Sequence, residues 1–218
     1  MATPSFRFEY SDMYKDKYFV YTNAKIHYLD NEKESGEVVI VFPPGIQDAR
    51  FIYDLDFETK KRLISVSYPS RYKSTELKIN NSIDNIAIVL NRFISELVRD
   101  SQLRSITLVG FSFGTAGITK ILDENRDVKI NKVVLVNPGE FFAPLFKELF
   151  FVIFSPALIV NSYARLLKYL LTSLMGVYNP EYFPNNRLHK INEQWISILN
   201  YKIDESIVVD KPVTLIVG

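Results

Sequence analysis

Cysteine is absent from this 218-residue chain, and histidine occurs only twice. Without cysteine the protein has no disulfide framework, no thiolate metal ligand and no thiol nucleophile. The two histidines, His27 and His189, stand in separate regions of the sequence, so a histidine-rich metal site is not expected. We therefore predict that the protein holds no metal and uses no cofactor.

An excess of charge of one sign is also lacking, since 26 Lys and Arg oppose 25 Asp and Glu for a net charge of +1. Nucleic-acid binding requires clustered basic residues, so no nucleic-acid partner is predicted. The amino terminus carries charges where a secretory signal needs an apolar run. The longest uncharged stretch, 149–164, is interrupted by proline and polar residues and is shorter than the ~18 apolar residues of a spanning helix. The expectation is a soluble cytoplasmic protein without a membrane span.

The sequence does contain a regular series of apolar runs. Two strand-like segments come first, 17–22 and 25–30, and Asn23-Ala24 between them suits a tight hairpin. Longer apolar runs follow, of the kind found in strands that a parallel sheet buries on both faces. They span 37–42, 61–68, 105–110, 132–139 and 212–218. The series predicts an α/β fold with a mostly parallel sheet and the hairpin at one edge.

Helical periodicity separates these runs and then interrupts them. Apolar residues at helical spacing fill 82–99, with Asn81 or Ser82 as the cap, and a second helix is predicted over 113–125. Residues 140–205 break the alternation and are predicted to form an inserted helical cap. The sheet and its helices then comprise 1–139 and 206–218.

Glycine is scarce, at eight in the chain, yet Gly110 and Gly114 frame Ser112 in the sequence GFSFG. This G-x-S-x-G pattern between an apolar strand and a helix is typical of a nucleophile elbow. The sharp turn lifts the serine hydroxyl clear of the sheet, and side chains two residues before and after it would collide. The N–H groups that begin the helix face the same place and can stabilise an anion. The motif predicts a nucleophilic serine.

With this motif in place, the chain resembles the α/β-hydrolase superfamily over nearly its whole length. GFSFG matches the family's elbow, and VVIVFPPGIQD matches the loop after the third strand. Pro43-Pro44 replaces the usual His-Gly of that loop, as in maspardin-like members. The helical insertion after VVLVNPG matches the family's cap, and KPVTLIVG matches the strand behind which the acid of the catalytic triad usually stands.

The resemblance implies a role for each matching residue. Ser112 becomes the nucleophile, and the N–H of Phe113 becomes one oxyanion donor. The second donor is expected from Ile46, with Gln47 as the alternative, because Pro44 has no N–H. The candidates for lining the pocket are Phe111, Gln47, Phe141, Phe142 and Phe146.

The partners that activate such a serine have no clear place in the sequence. In this family the acid and the histidine follow the serine in that order, so both are expected beyond Gly218, together with a last strand and helix. Asn137 occupies an alternative acid position but cannot serve as the acid, and Glu140 is expected to cap a helix. We expect a structural or surface role for His27, and a place near the pocket rather than a catalytic one for His189.

The cap segment indicates the class of substrate. Residues 141–175 contain eight aromatic residues and only four charged ones. Most of the aromatic residues are expected to pack within the fold, and the rest would suit a small or medium hydrophobic ester; contact with a membrane surface is an alternative for the segment. The predicted function is a serine hydrolase working through an acyl-enzyme, inactive as the present chain alone. The alternative is a non-catalytic binding or scaffold protein of the same fold.

Overall fold

Seven strands form one sheet in the part of the chain that the structure describes. The computed structural model describes residues 12–45, 47–55, 59–100, 103–124, 130–138 and 211–217, together with Lys190, Glu193, Gln194, Ser197 and Tyr201. The strands are β1 (Lys15–Tyr21), β2 (Ala24–Asp30), β3 (Glu37–Phe42), β4 (Arg62–Val66), β5 (Ser105–Phe111), β6 (Lys132–Val136) and β7 (Val213–Ile216). Their order across the sheet is β1-β2-β4-β3-β5-β6-β7.

The predicted parallel core of the sheet is confirmed. β3 pairs in parallel with both β4 and β5, and β6 and β7 continue in the same direction. β1 and β2 pair antiparallel with each other, and β2 joins β4 antiparallel, so the hairpin forms one edge. Because parallel strands all end at the same side of a sheet, the loops that follow β3, β4, β5 and β6 lie next to one another.

The hairpin turn lies one residue earlier than the sequence predicts. Tyr21 pairs with Ala24, so the turn consists of Thr22 and Asn23, and Ala24 already belongs to β2. Thr22 has a φ of 51°, the sign that two-residue hairpin turns require. Ala24 is buried in the main hydrophobic cluster, and burial of its methyl group favours the strand over the turn.

Within the described ranges, two continuous helices pack on one face of the sheet, and both lie within one residue of their predicted bounds. They are α1 (Ile83–Asp100) and α2 (Phe113–Glu124). Of the two predicted caps, Ser82 holds the start of α1, since its Oγ accepts a hydrogen bond from the N–H of Asn85 at 3.4 Å. Asn81 instead donates its side-chain amide to Ser70 Oγ at 2.9 Å.

The side chains of β3 alternate between two hydrophobic clusters, one on each face of the sheet. Val38, Ile40 and Phe42 belong to the cluster that includes the residues of α1 and α2. Val41 belongs to the other cluster, with residues of a 3₁₀ helix, Ala49–Asp54. Burial on both faces explains why this strand is a continuous apolar run.

The end of the predicted cap segment is bonded to the core. The hydrogen bonds join Gln194 Nε2 to Pro69 O (2.9 Å), Ile83 N to Ser197 Oγ (2.7 Å) and Tyr201 Oη to Thr119 Oγ1 (2.9 Å). They tie this segment to the loop after β4, to the start of α1 and to α2. The division into a core and a cap over 140–205 stays a prediction, because most of that range lies outside the described residues.

Candidate active site

Ser112 stands alone between the end of β5 and the start of α2. Its φ is 49°, in the left-handed region, as the elbow interpretation requires. A residue with a side chain loses about 1–2 kcal/mol in this conformation. The turn is held by the N–H of Ser112, which donates to the carbonyl oxygen of Val136 at 2.9 Å, and by the N–H of Thr115, which donates to the carbonyl oxygen of Ser112 at 2.9 Å.

The two glycines that frame Ser112 allow α2 to pack directly on the sheet. A Cβ atom on Gly110 would lie 2.8 Å from the backbone carbonyl of Gly114. A Cβ atom on Gly114 would lie 2.9 Å from the Cβ atom of Phe42 in β3 and would also clash with the backbone of that residue. Both spacings are shorter than real Cβ contacts, so the glycine spacing has the steric cause that the sequence indicates.

The loop after β3 approaches the residue that follows Ser112. A Cβ atom on Gly45 would lie 2.9 Å from the Cβ atom of Phe113, so the loop backbone packs directly on Phe113. Within the loop, the N–H of Gln47 donates to the carbonyl oxygen of Pro44 at 2.9 Å. This bond occupies the alternative oxyanion donor, and the preferred one, Ile46, lies outside the described residues.

Two buried side chains, Tyr68 and Arg71, also hold the loop after β3, and neither is predicted from the sequence. The hydroxyl of Tyr68 donates to the carbonyl oxygen of Pro43 at 2.7 Å, and the guanidinium of Arg71 donates to the carbonyl oxygen of Gly45. Both residues follow β4 in the sequence YPSRY, where a charged residue ordinarily indicates a solvent-exposed loop. No signal in the sequence indicates that this arginine is buried.

Two of the five predicted pocket residues, Phe111 and Gln47, belong to the described part of the chain. Phe111 packs edge-to-face on Phe51 of the 3₁₀ helix, with ring centroids 4.8 Å apart. Gln47 is half-buried, and its Oε1 is buried without a hydrogen-bond partner among the described residues. Phe141, Phe142 and Phe146 lie outside those residues. Their place in a pocket stays a prediction.

Solved structures resemble this chain in fold at low sequence identity. The Cif epoxide hydrolase from Acinetobacter nosocomialis matches with a TM-score of 0.70 and 13% identity, over 100% of this chain and 91% of its own. An alpha/beta hydrolase from Novosphingobium aromaticivorans matches with a TM-score of 0.54 and 19% identity, over 63% of this chain and 48% of its own. The chain has the α/β-hydrolase fold.

The α/β-hydrolase fold is also shared with the epoxide hydrolase CorEH, at a TM-score of 0.63 and 13% identity, over 94% of this chain and 82% of that one. No protein-family model and no curated protein matches the sequence. The likeness therefore consists of the fold, and the chemistry of the site has to be inferred from its residues.

His27 lies in β2, buried, and both of its ring nitrogens are engaged. Its Nε2 lies 2.6 Å from Asp16 Oδ1, and its Nδ1 lies 3.0 Å from Ser67 Oγ. Ser67 Oγ in turn accepts a hydrogen bond from the N–H of Ala49 at 3.0 Å. Burial lowers the pKa of His27 below 6.5, although Asp16 opposes the shift. These contacts agree with the structural role expected for this histidine.

Asn137, which the sequence resemblance predicts at an alternative acid position, lies directly after β6. It is exposed, its φ is 46°, and its N–H donates to the carbonyl oxygen of Ile216 in β7 at 2.8 Å. Its backbone therefore continues the pairing of β6 with β7. The neighbouring candidate, Glu140, and the second histidine, His189, lie outside the described residues.

The described ranges contain no group of three or more His, Asp or Glu side chains placed to hold a metal ion. Nor does any helix within them have the length and apolar composition needed to cross a bilayer.

Proposed function

We propose that this protein is a serine hydrolase that cleaves small or medium hydrophobic ester-like substrates through an acyl-enzyme at Ser112. The observation that carries the proposal is the backbone of Ser112, held at a φ of 49° between two glycines that no larger residue can replace without a clash. Strained backbone of this kind persists where the surrounding structure enforces it, and it clusters at active sites.

The oxyanion would be bound by two backbone N–H groups. Phe113 is the first residue of α2, and a helix leaves its first N–H groups without intrahelical partners. We assign the second donor to Ile46, because the N–H of Gln47 is already bonded to Pro44. The packing of Gly45 against Phe113 supports this pairing, since it joins the two segments that supply the donors.

A serine nucleophile favours esters over the epoxides named for the structural neighbours. As Ser112 Oγ attacks an ester carbonyl, its proton passes to the base, and a C–O bond and an oxyanion form. Collapse of the oxyanion breaks the bond to the alcohol, which leaves with the proton from the base. Water then gives a proton to the base and attacks the acyl-enzyme carbonyl; the bond to Oγ breaks, the serine regains its proton and the carboxylic acid leaves. Attack on an epoxide carbon would instead leave an alkyl ether on the serine, which water does not cleave under mild conditions. Only the reaction with an ester therefore regenerates the free enzyme.

We assign the general base and its orienting acid to residues outside the described ones. His27 is the one histidine among the described residues, and its ring is engaged by Asp16 and Ser67. The substrate pocket is assigned to Gln47, whose buried Oε1 lacks a described partner, and to the aromatic candidates. These are Phe111, Phe141, Phe142 and Phe146.

The alternative is a binding or scaffold protein that keeps the fold without the chemistry. Pro43-Pro44 in the loop after β3 favours this alternative, because proline has no N–H and the loop therefore lacks two successive hydrogen-bond donors. Ser112 argues against it, since a strained turn without catalytic use gains nothing from a hydroxyl.

The test is reaction of the complete protein with a fluorophosphonate probe, read by intact mass and peptide mapping. We expect one phosphonyl group on Ser112, no labelling of Ser112→Ala, and full labelling of Ser95→Ala. Ser95 is a matched control because it lies on α1, where its hydroxyl donates to the carbonyl oxygen of Asn91 in the same helix at 2.9 Å. Hydrolysis of p-nitrophenyl butyrate by the wild type, and its loss in Ser112→Ala, would show catalytic turnover in addition to covalent labelling. A folded protein whose Ser112 stays unmodified would support the scaffold alternative.

A further inference from the structure

Arg71 is a buried cation that the proposed reaction does not use. Its side chain is 1% exposed, and it is among the largest side chains fully enclosed by the described fold. It follows β4, at the same side of the sheet as Ser112. Burying a charged group is costly unless its surroundings compensate it, so an arginine in this position requires an explanation.

The guanidinium of Arg71 donates to the carbonyl oxygen of Gly45. That carbonyl belongs to the peptide group whose N–H is contributed by Ile46. In a trans peptide the C=O and N–H bonds point in opposite directions, so fixing one end of the group fixes the other. A charge-assisted hydrogen bond to the carbonyl also polarises the peptide and strengthens its N–H as a donor.

We infer that Arg71 is the positioning residue of the oxyanion site: it orients and polarises the Gly45–Ile46 peptide through the Gly45 carbonyl. The inference rests on the proposed function and names what holds the second oxyanion donor in place. Arg71 itself does not contact the substrate and acts through the peptide alone.

The backbone is strained on both sides of Arg71. Ser70 has a φ of 65° and Tyr72 a φ of 44°, so two residues with side chains stand in the left-handed region on either side of the arginine. The turn is closed by the N–H of Arg71, which donates to Tyr68 O at 3.1 Å, and by the N–H of Ser74, which donates to Arg71 O at 2.8 Å. Two such residues cost about 1–3 kcal/mol each, which the surrounding structure must offset.

The charge of Arg71 persists despite its burial. Burial lowers its pKa to about 10, and the neighbouring Asp48 carboxylate and Tyr68 oppose the shift. Arg71 is therefore still cationic at neutral pH. Asp48 is itself buried, and the guanidinium of Arg50 donates to both of its carboxylate oxygens, at 2.9 Å to Oδ1 and 2.8 Å to Oδ2.

The test compares Arg71→Met, Arg71→Lys and Arg62→Met in the complete protein. Arg62 is the matched control: it is also hydrogen-bonded to a buried group, Asp30, but it begins β4 at the opposite end of the sheet. The first measurement is the rate of labelling by a fluorophosphonate as a function of probe concentration, on variants shown to be folded by circular dichroism. The second is amide hydrogen exchange of Gln47, whose N–H closes the loop on Pro44.

Arg71→Met is expected to lower the limiting labelling rate about 10- to 100-fold, somewhat less than complete removal of an oxyanion donor, with half-saturation unchanged. Arg71→Lys restores part of that rate, because it retains one cationic donor. Exchange of Gln47 accelerates in Arg71→Met, while Arg62→Met matches the wild type in both measurements.

Equal labelling rates in wild type and Arg71→Met would overturn the inference, as would an equal loss in Arg62→Met. A wild-type protein that does not react at Ser112 would instead refute the proposed function and, with it, the role toward an oxyanion. In that case Gln47 exchange still decides separately whether Arg71 holds the loop.

Discussion

The hydroxyl of Tyr68 donates a hydrogen bond of 2.7 Å to the carbonyl oxygen of Pro43, and both residues are buried. Pro43 follows the last residue of β3, where the ladder to the neighbouring strands ends. A buried carbonyl at that point has no strand partner and needs another donor. Tyr68 supplies it, and Arg71 does the same for Gly45 two residues later. The loop after β3 is thus held by side chains that follow β4.

Tyr68→Phe is expected to destabilise the fold by about 1–3 kcal/mol, because it leaves the Pro43 carbonyl buried without its donor. Burial raises the pKa of Tyr68 well above 10, so the hydroxyl stays protonated and the bond is independent of pH in the neutral range. Urea unfolding followed by circular dichroism measures the difference. Tyr28→Phe is the control, since Tyr28 packs on Phe93 and its hydroxyl has no bond among the described residues; a loss as large in that variant would refute the assignment.

The two glycines of α2 provide a matched pair of substitutions. Gly117→Ala places its Cβ 3.8 Å from Leu90 Cδ1, an ordinary contact, and should stabilise the helix by about 0.5–1 kcal/mol. Gly114→Ala forces its Cβ against Phe42 and should destabilise the protein by more than 1 kcal/mol, roughly the range of overpacked cores. Thermal melting of both variants tests the elbow packing. Equal stability of the two would mean that the spacing at Gly114 is not tight.

Much of this arrangement is predictable from sequence because its causes are local. The apolar run 37–42 matches β3 residue for residue, since both faces of that strand are buried. The positive φ of Ser112 is predictable because the G-x-S-x-G pattern between an apolar strand and a helix is typical of a nucleophile elbow. The hairpin turn is misplaced by one residue because Ala24 is favoured in β2 by burial, a tertiary effect. Arg71 was missed for a related reason: its partner, Gly45, lies in another loop, and no pattern within YPSRY indicates the contact.

The buried histidine predicts a loss of stability in mild acid. Burial lowers the pKa of His27 below its unfolded value of 6.5, so the unfolded chain binds the proton more tightly. The free energy of unfolding that neutral His27 contributes is therefore fully present above about pH 6.5. It is lost as the pH falls through the folded-state pKa of His27. The carboxylate of Asp16 does not interfere, because its own pKa lies below 3.8 despite the opposing effect of burial.

His27→Gln should remove this dependence. The wild-type free energy of unfolding is expected to fall as the pH drops below about 6.5, while that of the variant, lower at pH 7.5, does not show this fall. Urea titrations at intervals across this range measure both slopes. Parallel slopes for the two proteins would show that another group titrates, and that His27 is not the buried neutral histidine assigned to β2.

Strain at Ser112 predicts that the site can be made more stable by losing its nucleophile. Ser112→Gly removes the cost of a left-handed backbone conformation, which is about 1–2 kcal/mol. It also makes the unfolded chain more flexible, which lowers the free energy of unfolding by about 0.4–1 kcal/mol. The net expectation is a variant several tenths to about 1 kcal/mol more stable than the matched Ser112→Ala, which keeps the strain. Neither variant should react with a fluorophosphonate. Chemical unfolding of the pair decides the matter: if Ser112→Gly proves the less stable of the two, the φ of 49° carries no cost and the turn is not held under strain for the sake of the hydroxyl.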